Sequence, residues 1–355
     1  MPIVDLLKRF IRGEEKKIAT KFIPSIVKLE TNVNEYWSLK GVIGDGAFGS
    51  VYKAINRANN NLIAAAKAID LDDEEGTDVM IEVEILARCK HPNIVQLYDA
   101  YTMGNRITLL LEFCGGGAID TIMIELSRGL TEVQIQYVMK EILKAICFLH
   151  EKNVIHRDLK AGNVLLTNDA KVKLADFGVS ALCKDAREER STFIGTPYWM
   201  APEVMLCETF PEKRYTKVAD IWSFGITLIE MAEEKPPYAD MNPAKVIFKV
   251  IKAEPPTFEK PHLWSSIFRE VVSKCLVKDP LNRCSAADLL FHPFFIRDGD
   301  SDSVKRLICE VNAEQITTEL VETDMDEDDD TSSSIDVNSG DVNNEITEVF
   351  LLTVS

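Results

Sequence analysis

Two patterns of apolar residues divide this chain. Up to about residue 114 they come in short runs bounded by turn-forming residues: WSLKGVIG, SVYKAIN, LIAAAKAID and RITLLLEF. These runs are rich in β-branched and aromatic residues and predict strands. One helical stretch interrupts them, from about Asp78 to Cys89, where Met80, Val83, Leu86 and Ala87 share one face. From about Leu130 onward the spacing turns helical, in VQIQYVMKEILKAICFLH, around WSFGITLIEMAEE and in FREVVSKCL. A small β-rich lobe followed by a larger α-rich lobe is therefore expected, an α+β fold. Near the C-terminus, Val304, Leu307, Ile308 and Val311 recur at helical spacing, and such a stripe is expected to pack on its own domain.

Charge adds a third region. The first 30 residues carry seven basic and four acidic side chains, whereas residues 298–355 carry two basic and 17 acidic. The formal charge of −17 thus belongs mainly to the tail, and the middle is near neutral. Asp324 to Asp330 is the densest acidic stretch, and polar residues follow it, so too little apolar surface is available to offset chain entropy. These patterns predict a basic extension over 1–35, a folded domain over 36–295 with its lobes dividing near residue 113, and a largely disordered acidic tail over 296–355. The N-terminal VDLLKRFIRGEEKKIATKF has apolar and basic faces at helical spacing. It reads as a solvated extension or as a segment making weak membrane-surface contact.

Composition narrows the function classes. With 46% apolar residues the chain can build a core. No run approaches 18 uncharged apolar residues, so no membrane-spanning helix is expected, and the charged N-terminus does not read as a secretory signal. Eight cysteines are scattered without a C-x-x-C pair, which argues against zinc or disulfides and fits a reducing, cytoplasmic setting. The acidic balance argues against nucleic acid as a partner.

Five short motifs carry chemistry. Gly44-Asp45-Gly46-Ala47-Phe48-Gly49-Ser50-Val51 lets backbone approach phosphate closely, and the strand that follows it disfavours a dinucleotide fold. Lys67 lies 16 residues past Val51 in an apolar strand and needs a buried partner; Glu82 is the natural one and Glu84 its rival. His156-Arg157-Asp158-Leu159-Lys160-Ala161-Gly162-Asn163 sets a carboxylate, an ammonium and an amide within eight residues. Transfer of a phosphoryl group to a hydroxyl needs those three groups as base, γ-phosphate contact and metal ligand. Asp176-Phe177-Gly178 follows 13 residues after Asn163, and Gly195-Thr196-Pro197-Tyr198-Trp199-Met200-Ala201-Pro202-Glu203 closes the series. Any one could arise by chance; five in this order do not.

In these motifs the chain resembles the eukaryotic protein kinases over roughly residues 36–295, with Lys160 and Thr196 similar to the Ser/Thr class. DGAFGSVYKA, EFCGGGAID, HRDLKAGN, LADFGVSA and FIGTPYWMAPEV resemble the germinal-centre branch of sterile-20-like kinases, in the group of Ste20-like and lymphocyte-oriented kinases. The resemblance implies a bilobal kinase fold and transfer of the γ-phosphate of Mg-ATP to protein Ser/Thr hydroxyls, in signalling to the cytoskeleton or to other kinases. All of Lys67, Asp158, Asn163 and Asp176 are present, which disfavours the alternatives of a pseudokinase or an interaction scaffold.

The resemblance also implies roles. Ile43, Gly44, Gly46, Gly49 and Val51 would cover the phosphates. Lys67 would contact them and pair with Glu82. Val51, Ala65 and Leu165 would sandwich adenine, with Leu111 as gatekeeper and backbone groups of Glu112 and Cys114 facing the base. Asp158 would be the catalytic base and Lys160 the γ-phosphate contact, with Asn163 and Asp176 as Mg²⁺ ligands. Glu203 would pair with Arg283, and Asp220 would brace the catalytic loop. Phosphorylation of Thr192 or Ser191 would order the activation segment through Arg157. Relatives also exchange activation segments in a kinase-domain homodimer. They normally continue into a long coiled coil; no sustained heptads follow here, so dimerisation through one is not expected.

Overall fold

The computed structural model describes residues 24–46, 49–71, 75–183, 197–210, 214–297 and 299–327. Thr192 and Ser191, the N-terminal basic segment and the tail beyond 327 fall outside the described residues. The chain divides into two compact units, 1–311 and 312–355. Within the first, the expected α+β order of a β-rich lobe and an α-rich lobe is observed.

The small lobe begins with β1, Val27–Lys28, followed by β2 (Trp37–Gly46), β3 (Gly49–Asn56) and β4 (Ile63–Asp70). Helix α1 (Glu75–Arg88) then leads to β5 (Leu97–Met103) and β6 (Arg106–Glu112). The six strands form one sheet in the order β1-β5-β6-β4-β3-β2, and every pairing is antiparallel except β1 with β5. Alternation along β6 serves two cores. Ile107 and Leu109 face the main core shared with Val79, Met80, Val83 and Leu86 of α1. Leu110 faces the other way, onto Trp37, Ala54, Ala64, Ala66 and Tyr101. The alanines of β3 and β4 leave the space that Trp37 fills.

β1 lies inside what the sequence suggested was an extension ending at residue 35. Val27 is buried, and Lys28 Nζ lies 2.8 Å from Asp99 Oδ1 and donates to the Tyr101 hydroxyl at 3.0 Å. The sheet therefore starts before residue 36. A two-residue strand is too short to leave any periodicity, so only the pairing reveals it.

The large lobe opens with β7 (Gly117–Ala118), α2 (Ile119–Glu125) and α3 (Glu132–Glu151). Thr131 and Gln134 form a reciprocal capping box at the start of α3. Then come β8 (Val154–Ile155), β9 (Val164–Leu166), β10 (Val172–Leu174) and β11 (Ala181–Leu182), in two small sheets ordered β10-β9-β7 and β11-β8. Helices α4 (Pro202–Thr209), α5 (Ala219–Glu233), α6 (Pro243–Lys252), α7 (Ser266–Cys275), α8 (Ala286–Leu290) and α9 (Pro293–Ile296) complete the lobe. Helix α5 is buried on all sides from Ala219 to Met231, which explains its near-continuous apolar sequence. A Cβ at Gly225 would stand 2.6 Å from Cys275 Cβ, so glycine is what lets α5 and α7 approach.

Helix α10, Ser301–Glu327, shifts the domain limit at the other end. Val304, Leu307, Ile308 and Val311 are buried in the main core. Gln134 Nε2 donates to the Ser303 carbonyl at 3.3 Å, and Arg128 reaches Glu310 at 2.7 Å. The folded unit thus continues to Val311, past the expected limit at 295. The apolar stripe packs on its own domain as its spacing predicted, although the acidity of the region as a whole had placed it in the tail.

Candidate active site

β4 and α1 set the first pair. Lys67 is in β4 opposite Leu109 of β6, and Val51 of β3 is its other register partner. Its Nζ lies 3.3 Å from both carboxylate oxygens of Glu82, which α1 presents from its buried face. Glu84 points outward instead and pairs with Arg88 at 2.8 Å. Two residues along a helix rotate a side chain by about 200°, so only one of the two glutamates can face the sheet. Burial pushes the Glu82 carboxyl above its usual range, against the pull of Lys67 and the Phe177 amide. The Asp176 carboxylate lies 4.0 Å from Lys67 and completes a line from sheet to large lobe.

Asp176 takes a positive φ of 61° and accepts from the Gly178 amide at 3.3 Å. Phe177 is fully buried, edge-on to the His156 ring at 5.0 Å. His156 Nε2 lies 3.1 Å from the Ala175 carbonyl. The segment around Asp176 is thereby locked against the loop that carries Asp158.

That loop is built around buried charges. Asp158 Oδ2 accepts from Lys160 Nζ at 2.7 Å and from Asn163 Nδ2 at 2.9 Å. Asn163 Nδ2 also donates to the Asp158 carbonyl at 2.7 Å. Both of these bonds use the amide nitrogen rather than the amide oxygen. A Cβ at Gly162 would stand 2.5 Å from Asp120 Oδ2, so the Asp120 carboxylate lies close over this glycine.

Asp220, fully buried at the start of α5, accepts from the His156 amide at 3.0 Å and the Arg157 amide at 2.9 Å, and lies 2.8 Å from His150 Nε2. Burial opposes its ionisation, but the His150 ring and these donors outweigh it and hold its carboxyl below the usual range. Arg157 has a positive φ of 71°; its guanidinium donates to the Val179 and Ser180 carbonyls and to the Tyr215 hydroxyl. Glu203 and Arg283 form a bidentate pair at 2.6 and 2.9 Å.

Of the remaining residues, Ile43, Gly44 and Gly46 lie on β2, and Gly49 and Val51 on β3. Gly44 is opposite Val51, and Gly46 opposite Gly49. Ala65 sits opposite Leu111, the expected gatekeeper, and Leu165 lies in β9 opposite Ala118. Glu112 ends β6, and Cys114 follows in the connection between the lobes. Burial, reinforced by the nearby Glu112 charge, pushes the Cys114 thiol up to about 12.

Sequence reasoning missed two residues. Glu230 of α5 accepts from the Ala161 amide at 2.9 Å and the Trp199 indole at 2.7 Å. It joins the Asp158 loop to the stretch before Glu203. Burial pushes its carboxyl up to about 7. The available signal was a lone carboxylate within the apolar run ITLIEM. The second, Lys173, is buried against Glu112 at 2.7 Å, and only its place in an apolar strand hinted at this.

A buried lysine-glutamate pair has an aspartate 4.0 Å from its lysine, and that aspartate's segment packs on the loop of the Asp-Lys-Asn cluster. The protein kinase domain model matches residues 37–295. The chain belongs to the protein kinase domain family. It is 50% identical over 289 residues to the human serine/threonine-protein kinase 10, covering 81% of this chain and 30% of that protein. The mouse counterpart is 50% identical over 285 residues, 80% of this chain and 29% of that protein. Serine/threonine-protein kinase dst2 of Dictyostelium discoideum is 44% identical over 299 residues, 84% of this chain and 26% of that protein. The chain therefore spans about 30% of the length of the human relative it matches. Serine/threonine-protein kinase 10 is a germinal-centre kinase of the sterile-20 group, in line with the resemblance seen in the motifs. Among the described residues, no helix is long and apolar enough to cross a membrane.

Proposed function

We propose that the protein is a Ser/Thr protein kinase that transfers the γ-phosphate of Mg-ATP to protein hydroxyls. The observation that carries this reading is the Asp158–Lys160–Asn163 cluster, on a loop that His156 ties to Phe177 and Ala175 beside Asp176, which itself lies 4.0 Å from the Lys67 of the Lys67–Glu82 pair. Ile43 to Val51 cover the phosphates, Val51, Ala65 and Leu165 flank adenine, and the backbone of Glu112 and Cys114 meets its edge. Lys67 orients the phosphates while Glu82 holds its ammonium in place.

Asp158 accepts a hydrogen bond from the incoming Ser or Thr hydroxyl and aims its oxygen in line with the γ-phosphorus. Lys160, already 2.7 Å from that carboxylate, neutralises charge growing on the transferred group. Asp176 and the Asn163 amide oxygen are hard oxygen donors of the kind Mg²⁺ takes. The cation, when bound, offsets charge on the β- and γ-oxygens. Asp220 keeps the loop rigid through two backbone amides.

The domain arrangement, with a basic segment before the small lobe and an acidic tail after α10, belongs to this reading. So does activation by phosphorylation of Thr192 or Ser191, passed between two copies in a kinase-domain dimer. Arg157 supports it, because its guanidinium already ties the stretch after Asp176 to the Asp158 loop. A phosphate adds about −1.5 to −2 charge for it to hold. A cytoplasmic site of action and substrates in signalling complete the proposal.

The test incubates the purified chain with Mg-ATP and a generic basic protein, and locates phosphate by mass spectrometry. Transfer to Ser and Thr is expected. Asp158→Asn should lower kcat by about 10² or more while the affinity for nucleotide persists. Turnover by Asp158→Asn close to that of the unaltered chain would remove Asp158 from the reaction. Mixing active chain with Asp158→Asn chain then reads Thr192 phosphorylation between copies, with a rate that rises with concentration.

A further inference from the structure

Glu112 and Lys173 join two strands that lead toward opposite ends of the proposed nucleotide site. Glu112 is the last residue of β6, where the chain leaves the small lobe. Lys173 is the middle residue of β10, three positions before Asp176, and its register partner in β9 is Leu165. Alternation turns Lys173 away from Val172 and Leu174, and it is buried all the same, at 7% exposure. A buried ammonium is tolerable only with a close partner. Glu112 supplies it, with Oε1 at 2.7 Å and Oε2 at 2.8 Å from Nζ.

The segment Asn93–Gln96 closes the arrangement. Gln96 donates its amide to Glu112 Oε2 at 3.2 Å and accepts from the Glu112 amide at 2.8 Å. Leu174 donates its amide to the Asn93 carbonyl at 2.9 Å, and Val95 donates to the Leu174 carbonyl at 3.0 Å. Asn93 Nδ2 donates to the Val172 carbonyl at 3.1 Å and to Glu141 at 3.0 Å. One short segment thus holds both β10 and the end of β6, and the ion pair spans the gap between them. A cavity of about 290 Å³, bounded by Leu86, His91, Pro92 and Gln96, opens beside the pair. A Glu112 carboxylate without its lysine would have room to swing into it and take the lobe connection along.

We infer that Lys173 is a positioning residue for the nucleotide. Through Glu112 it couples the backbone that receives adenine to the strand that delivers Asp176. This rests on the kinase reading of the cleft. The pair sets both ends of the site before nucleotide arrives, which lowers the ordering cost of binding. The reacting atoms are untouched, so the effect falls on nucleotide affinity more than on turnover.

The experiment compares the full chain with Lys173→Met, Lys173→Arg and the double variant Lys173→Met/Glu112→Gln. KM for Mg-ATP, kcat, Tm and affinity for fluorescent mant-ATP are measured in parallel. Lys173→Met should raise KM about tenfold, within the usual range for two coupled sites, with a smaller change in kcat. Lys173→Arg keeps the charge pair and should stay near the unaltered chain. The double variant should match the single one, because the coupling is already gone. A lower Tm with unchanged KM and mant-ATP affinity would make the pair structural only and overturn the inference. So would a lower KM or higher kcat, which would mean that the pair restrains the site. Mant-ATP binding separates the two readings. Weakened binding in Lys173→Met supports the coupling even without transfer, whereas an unaltered chain that does not bind mant-ATP overturns both.

Discussion

Lys67 Nζ lies 3.3 Å from each carboxylate oxygen of Glu82, and this contact fixes α1 against β4. The glutamate is buried, so the lysine does two things at once. It presents an ammonium to the cleft, and it keeps a carboxylate tolerable where water does not reach.

Lys67→Met should therefore separate chemistry from folding. Methionine has a similar volume and should leave the packing intact, as read by near-UV circular dichroism. Phosphoryl transfer should fall by about a hundredfold or more. Burial already raises the Glu82 pKa, and the loss of Lys67 raises it further. A raised carboxyl favours the folded state at low pH, and that stability is lost as pH rises through its folded pKa. The Tm gap between the unaltered chain and the variant should hence widen from pH 5 to pH 8.

Glu230 gives a sharper pH signature. Its carboxyl sits at about 7 against an ordinary 4.5, because burial outweighs the Ala161 and Trp199 bonds. Its contribution to stability is complete below about pH 4.5 and is lost as pH rises through 7, a span of about 3 kcal/mol. Both bonds end on one oxygen, which a glutamine carbonyl can replace. Glu230→Gln should match the unaltered Tm near pH 5 and exceed it at pH 8. An identical pH profile for the two proteins would show that Glu230 does not titrate in this range.

Leu307 tests whether α10 belongs to the folded domain. It is 1% exposed in the main core, so Leu307→Ala should cost about 2–5 kcal/mol by denaturant unfolding. Arg128→Ala, which removes the exposed partner of Glu310, should cost no more than about 1 kcal/mol. Equal, small effects would mean that the apolar stripe contributes little.

Cys114 should be slow to alkylate. Its thiol is pushed up to about 12, so the reactive thiolate is scarce at neutral pH. At pH 7.5 iodoacetamide should label the exposed Cys309 well before Cys114, as read by peptide mass spectrometry.

The sequence alone determined the fold class and most of the cleft. Its motifs are local: Asp158, Lys160 and Asn163 fall within one short loop, and no distant contact is needed to see them together. Short apolar runs and period-3.6 patterns likewise marked β2, β3, β4, β6, α1, α3, α5 and α7, because each of these elements buries a face along its own length. What tertiary structure decided are the partnerships between distant residues. Nothing local says that Lys173 finds Glu112, 61 residues away, or that Glu230 collects donors from two separate loops. A two-residue strand such as β1 exists only through its pairing with β5. The Val304–Val311 stripe is visible in sequence, but the surface that buries it is assembled from the large lobe. Buried charges were the least legible of all, because whether a carboxylate or ammonium is buried, and by what it is paired, depends on how lobes and loops meet rather than on its neighbours in the chain.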